Sequence, residues 1–175
     1  MPGSLTHLTR RFFDVLTAAP LSTEEAAEVE GWLGKPFAGL FFSQPHVDQR
    51  HGYEAARTVL SSDLDDHDVV VAAALHDIGK RHARLGLIGR SFTSVAMKTS
   101  LPMTARMRSY RDHGRVAAEE LADMSAPVVA IEFARHHHGE RPASIPPRIW
   151  DTLQRADQPP RAWRRQRHRG RSVAG

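Results

Sequence analysis

The most apolar run of this 175-residue chain, Val69 to Leu75, ends on a histidine and an aspartate, His76-Asp77. Seven consecutive apolar residues leave a helix over Asp66 to Ile78 without a polar face for most of its length, which predicts a central position in the fold. Such a helix carries an imidazole and a carboxylate inside with it. The run is far short of the ~20 residues that span a bilayer. Arg10, Arg11 and Asp14 also break the apolar stretch that an N-terminal signal peptide would keep, so the expectation is a cytoplasmic protein without a membrane partner.

Helical periodicity recurs along the chain, over Leu5 to Ala18, Pro45 to Leu60, Gly114 to Met124, Ala126 to His137 and Pro147 to Asp157. Ser22-Thr23-Glu24-Glu25 is a capping-box signature for a further helix that ends near Leu33, between Gly31 and Gly34. No stretch alternates strictly as a half-buried strand does, and 41% apolar with 25% charged residues fits one globular, all-α domain. The first two helices are expected to pack on the core. Trp32, Phe37, Phe41 and Phe42 would supply aromatic surface there, and that surface could equally be a dimer contact, so the oligomeric state stays open.

Cysteine is absent, which excludes disulfides, thiolate zinc sites and iron–sulfur clusters, and leaves nitrogen and oxygen as the only metal ligands. The formal charge of +4 is uneven. Gln158 to Gly175 holds six arginines and no acid, opens on Pro159-Pro160 and has no apolar period; it reads as a disordered tail, either a solvated terminus or an electrostatic arm for nucleic acid or anionic lipid. Lys80 to Arg115 holds nine basic residues and one acid together with Gly86, Gly89 and Pro102, which predicts a long connection with one short helix near Phe92 to Lys98.

Eleven histidines are the compositional oddity. Residues four apart share a helix face, and the apolar stripes are Val47-His51-Ala55-Val59, His113-Ala117-Leu121, Val129-Phe133-His137, Ala130-Ala134-His138 and Ile149-Leu153-Asp157. Each brings a histidine or an aspartate to the buried side. With His76 and Asp77, that makes seven inward polar groups whose uncompensated burial costs several kcal/mol each. A divalent metal compensates them together; separate His–Asp hydrogen bonds are the alternative that remains at this point. His7, His46, His67, His82 and His168 fall off the stripes and are expected at the surface, with His136 a neighbour of the cluster.

The segment Ala73-Ala74-Leu75-His76-Asp77-Ile78-Gly79-Lys80, with His51 upstream in Asp48-Gln49-Arg50-His51 and Asp157 downstream in Arg155-Ala156-Asp157, resembles the HD-domain metal-dependent phosphohydrolase superfamily over residues 44 to 158. The resemblance implies an HD-domain helical bundle preceded by a helical segment, 1–43, and followed by the tail, 159–175. It implies His51, His76, Asp77 and Asp157 as metal ligands. His113, His137 and His138 look like the added ligands of two-metal members, with Asp77 bridging. The Gly-Tyr-Pro element of cyclic-di-GMP-degrading members is replaced by Gly139-Glu140-Arg141-Pro142, and the Glu-Asp pair of alarmone hydrolases is not found after Lys80. The chain is similar to short bacterial HD proteins.

An all-N/O set of this kind suits one or two ions of Mn, Fe, Co, Ni or Zn better than Mg or Ca. The implied activity is hydrolysis of a phosphomonoester or phosphodiester, in a nucleotide or another small phosphorylated substrate, by a metal-bound hydroxide. Lys80, a turn beyond His76-Asp77, is placed to assist at the reacting phosphate, or else to complement the helix dipole. Arg81, Arg84 and Arg90 are the candidate substrate contacts of an anion-attracting rim. The competing readings are a regulatory or nucleic-acid-associated protein that keeps the metal for structure, and a di-iron oxygenase-like HD protein.

Overall fold

The computed structural model describes residues 19–64, 66–83, 85, 89, 93 and 102–158. Among these are seven α-helices and no strand: α1 (Thr23–Phe42), α2 (His46–Leu60), α3 (His67–Leu75), α4 (Ala105–Arg111), α5 (His113–Asp123), α6 (Val128–His136) and α7 (Pro147–Ala156), with a 3₁₀ turn at Ile78–Ala83. The all-α expectation holds. The expected helix Leu5 to Ala18 and the tail lie outside the described residues, as does nearly all of Phe92 to Lys98.

Helix α3 is the axis of the bundle. Every residue from Val69 to Leu75 is buried, and α1, α2, α6 and α7 all pack on it. Asp66 caps it by accepting from the Asp68 and Val69 amides, and the chain then tightens into the 3₁₀ turn instead of continuing as α-helix. Two glycines set how closely the neighbouring elements approach. A Cβ on Gly79 would sit 2.1 Å from the His113 carbonyl oxygen, and one on Gly114 would sit 2.6 Å from that of Ala134. The first contact brings the 3₁₀ turn onto α5 and the second brings α5 onto α6.

Helix α1 begins at the expected capping box, in which the Ser22 amide donates to Glu25 Oε2 at 2.8 Å and the Glu25 amide donates to Ser22 Oγ at 3.2 Å. The sequence predicts an end near Leu33, and Gly34 does break the helix with φ of 67°. A second helical stretch containing Pro36 then continues to Phe42, because Phe41 and its neighbours have a core to enter. Phe41 is fully buried, and Trp32, Phe37 and Phe42 are partly buried against the same core, so all four pack on the bundle. Arg50 ties α1 to α2 through a two-point pair with Glu25, at 2.7 and 2.8 Å, and Trp32 stacks on Tyr53.

The connection from Lys80 to Arg115, read with one short helix near Phe92 to Lys98, also holds a helix nearer its end. Thr104 caps a short helix, α4, by accepting from the Met107 amide. This helix buries no side chain, which is why apolar periodicity gives no sign of it.

Candidate metal centre

Six of the seven inward residues stand at or just beyond the C-terminal ends of helices. His76 is the C-cap of α3, His137 of α6 and Asp157 of α7, while Asp77, His113 and His138 follow α3, α4 and α6 by two residues. The last carbonyls of a helix lack intrahelical partners, and each C-terminus carries a partial negative charge. Three histidines use those carbonyls. His76 Nδ1 donates to Ala73 O at 2.9 Å, His113 Nδ1 to Tyr110 O at 2.6 Å and His137 Nδ1 to Ala134 O at 2.8 Å. A carbonyl only accepts, so the proton lies on Nδ1 and each neutral ring turns its Nε2 lone pair toward the centre.

Asp77 stands where those lone pairs meet. Its Oδ2 lies 3.5 Å from His76 Nε2 and 3.6 Å from His51 Nε2, and its Oδ1 lies 3.2 Å from His113 Nε2 and 3.5 Å from His137 Nε2. Asp157 Oδ1 lies 3.0 Å from His51 Nε2 and 3.1 Å from His76 Nε2. Two groups result, His51–His76–Asp77–Asp157 and Asp77–His113–His137–His138, with candidate ligand atoms within 4.8 Å of one another in each. Asp77 belongs to both. The structure therefore brings together the five residues picked from the stripes with His76 and Asp77.

His76, Asp77, His113 and His137 are buried, whereas His51 and Asp157 are half-buried and His138, expected on the buried side, is exposed because it lies beyond the end of α6. The centre has a closed floor and an open mouth. Burial works against the charge of both carboxylates, but the Lys80 ammonium holds Asp77 well below the usual carboxylate range. His51, at hydrogen-bond distance, does the same for Asp157. The loss of water around the His138 ring, with the neighbouring imidazoles of His137 and His113, pushes it down to about 3, so the ring is neutral near pH 7.

Divalent ions fit these residues. Asp77 Oδ1, His113 Nε2 and His137 Nε2 are buried and have no hydrogen-bond partner. Opposed lone pairs at 3.2–3.5 Å lack a proton to share, and a cation between them satisfies all three atoms. The converging helix C-termini favour the same sign of charge.

Lys80 reaches back to Asp77 as its spacing predicts, and its Nζ donates to Asp77 Oδ2. Burial pulls this ammonium down, but the Asp77 carboxylate outweighs it and the group is held above its ordinary value. Arg81 is engaged by the protein: Nη1 donates to Ile78 O at 2.8 Å and Nη2 pairs with Glu120 of α5. Its guanidinium is a brace between the 3₁₀ turn and α5, a partner that charge counting along the chain does not reveal. Arg84 and Arg90 lie outside the described residues. His46, His67 and His82 are exposed, as expected.

Two further features surround His137. Gln154 Nε2 donates to the His137 carbonyl at 2.7 Å and joins α7 to the end of α6. Beside His137 and His138 an open cleft of about 260 Å³ is lined by Arg111, Asp112, Gly114, Arg115 and Arg135. The run Ala134-Arg135-His136-His137-His138 carries the only sequence signal for Arg135, and the histidines dominate it.

Fold and site together define an all-helical domain with a buried His/Asp cluster able to hold a metal. The HD-domain family model matches residues 49–168, more than half of the chain, and the chain belongs to that family. Its members are helical proteins that bind divalent metals and are mostly metal-dependent hydrolases. No curated protein and no solved structure matches the chain.

Proposed function

We propose that this chain is a metal-dependent phosphohydrolase, a phosphomonoesterase or phosphodiesterase that acts on a nucleotide or another small phosphorylated substrate. The observation that carries the reading is the sharing of Asp77, one carboxylate between two ligand groups, with the buried atoms Asp77 Oδ1, His113 Nε2 and His137 Nε2 of one group unsatisfied. One group would hold an ion through His51, His76, Asp77 and Asp157, and the other through Asp77, His113, His137 and His138. Bound there, divalent ions supply a water nucleophile at neutral pH and offset charge on the attacked phosphoryl group.

The remaining work falls to the protein. The i−3 carbonyls of Ala73, Tyr110 and Ala134 lock three rings in one tautomer, so the cluster is organised before any ligand arrives. Lys80 Nζ, held at Asp77 Oδ2, lies where an ammonium can donate to a non-bridging phosphate oxygen. The open mouth at His51, Asp157 and His138 admits the ester, and the buried floor limits water behind it.

The test is a screen of p-nitrophenyl phosphate, bis(p-nitrophenyl) phosphate and nucleotides with added Mn²⁺, on wild-type protein and on His76→Ala and Asp77→Ala. Turnover lost in both variants is the expected result. No turnover by the wild type with Mn, Fe, Co, Ni or Zn would exclude the hydrolase reading.

A further inference from the structure

We infer that the cleft beside His138 is a second anion subsite, in which Arg135 grips a phosphate group of the substrate other than the one being hydrolysed. The inference rests on the hydrolase reading for its ligand, but its geometry is independent of it. Three arginines line the cleft, and the described acids treat them differently. Arg111 is held by Asp112, Nε to Oδ1 at 2.7 Å and Nη2 to Oδ2 at 3.3 Å, and Arg115 is held by Glu119 at 2.6 Å. Arg135 is exposed and has no hydrogen-bond or ion-pair partner among the described residues.

The consequence is a graded site. Two arginines are oriented and partly neutralised by their carboxylates, and the third keeps its five N–H donors and its full charge for a ligand. Arg135, His137 and His138 line the same cleft, so an anion held there is adjacent to the Asp77–His113–His137–His138 group. A planar fork of donors matches phosphate at two points, which an ammonium does not. The cleft has room for one such group with retained water, which favours a substrate with two separated phosphates over a simple monoester. The bland explanation is that Arg135, in the last turn of α6, only complements the helix dipole.

The experiment titrates inorganic pyrophosphate into the metal-stripped full-length chain and follows backbone amide and arginine Nε–Hε resonances by NMR, in the wild type, Arg135→Gln and Arg135→Lys. The expected result is saturable shifts at Gly114, Arg115 and Arg135 to His138, with affinity at least about tenfold weaker in Arg135→Gln and an intermediate loss in Arg135→Lys. Arg135→Lys keeps the charge at the helix end, so a role in the dipole alone predicts no loss there. Shifts confined to other residues, or equal affinity in the wild type and Arg135→Gln, overturn the subsite. p-Nitrophenyl phosphate turnover by the metal-loaded wild type is measured in parallel. Turnover without Arg135-dependent binding removes the subsite and leaves the hydrolase reading standing. Arg135-dependent binding without turnover under any metal removes the hydrolase reading, and with it the assignment of the anion to a substrate.

Discussion

Asp77 Oδ1 and His113 Nε2 lie 3.2 Å apart with no proton to share, because His113 has given its own to the Tyr110 carbonyl. Both atoms are buried and neither has a hydrogen-bond partner. A contact of this kind costs a protein stability unless a cation completes it. The fold repeats the arrangement at His137 and sets helix ends around it.

Lys80 is the ammonium nearest the shared carboxylate, donating to Asp77 Oδ2. Lys80→Met should lower kcat for a phosphate ester by about 10²-fold, the usual loss when one donor to a developing oxyanion is removed. Metal content measured on the same preparation should stay at the wild-type level. An unchanged kcat would assign Lys80 to the helix dipole or to folding alone.

Gly79→Ala places a Cβ 2.1 Å from His113 O, 2.9 Å from His113 C and 3.0 Å from Ala117 N, all of them backbone atoms that cannot swing away. Overpacking of this severity should cost about 3 kcal/mol or more by urea denaturation. Gly139→Ala is the control, since its nearest neighbour is His136 O at 3.6 Å, ordinary contact. Equal stability of the two variants would contradict the close approach of the 3₁₀ turn to α5.

Metal-stripped protein should lose stability as pH falls, in two stages. His138 is pushed down to about 3 in the fold, against ~6.5 when unfolded. The unfolded chain therefore takes up a proton that the native chain refuses, and stability declines as pH drops below about 6.5. Asp77 and Asp157 are held low by their neighbours. Their contribution is complete above ~3.9 and is lost as pH falls from there toward their native values. Urea midpoints should show a shallow decline followed by a steep one below about pH 4, and His138→Ala should flatten only the shallow part. Parallel curves for the two proteins between pH 6.5 and 4.5 would mean that the ring protonates freely in the fold.

The cluster was legible in the sequence because its residues obey the same periodicity as the core. His51 recurs with Ala55 and Val59, His137 with Phe133, and Asp157 with Leu153, so burial of one member of a stripe predicts burial of the rest. Family resemblance then supplied the sharing of Asp77, which spacing alone does not reveal. Helix α4 was not legible because it buries nothing; it reaches the site through the Tyr110 carbonyl, which orients His113, and through Arg111 at the cleft. Arg81 and Arg135 show the limit of counting charge. Both are basic residues near ligands, and only the fold shows that Glu120 engages one and that no described acid engages the other. The continuation of α1 past Gly34 was hidden by local glycine and proline signals, which the burial of Phe41 overrides.

The number of metal ions per chain, read by elemental analysis after reconstitution with Mn²⁺, tests the sharing of Asp77 most directly. The wild type should hold two ions, His51→Ala and His138→Ala one each, and Asp77→Ala none. A wild type that retains no metal, or an Asp77→Ala chain that still holds both ions, would contradict the account.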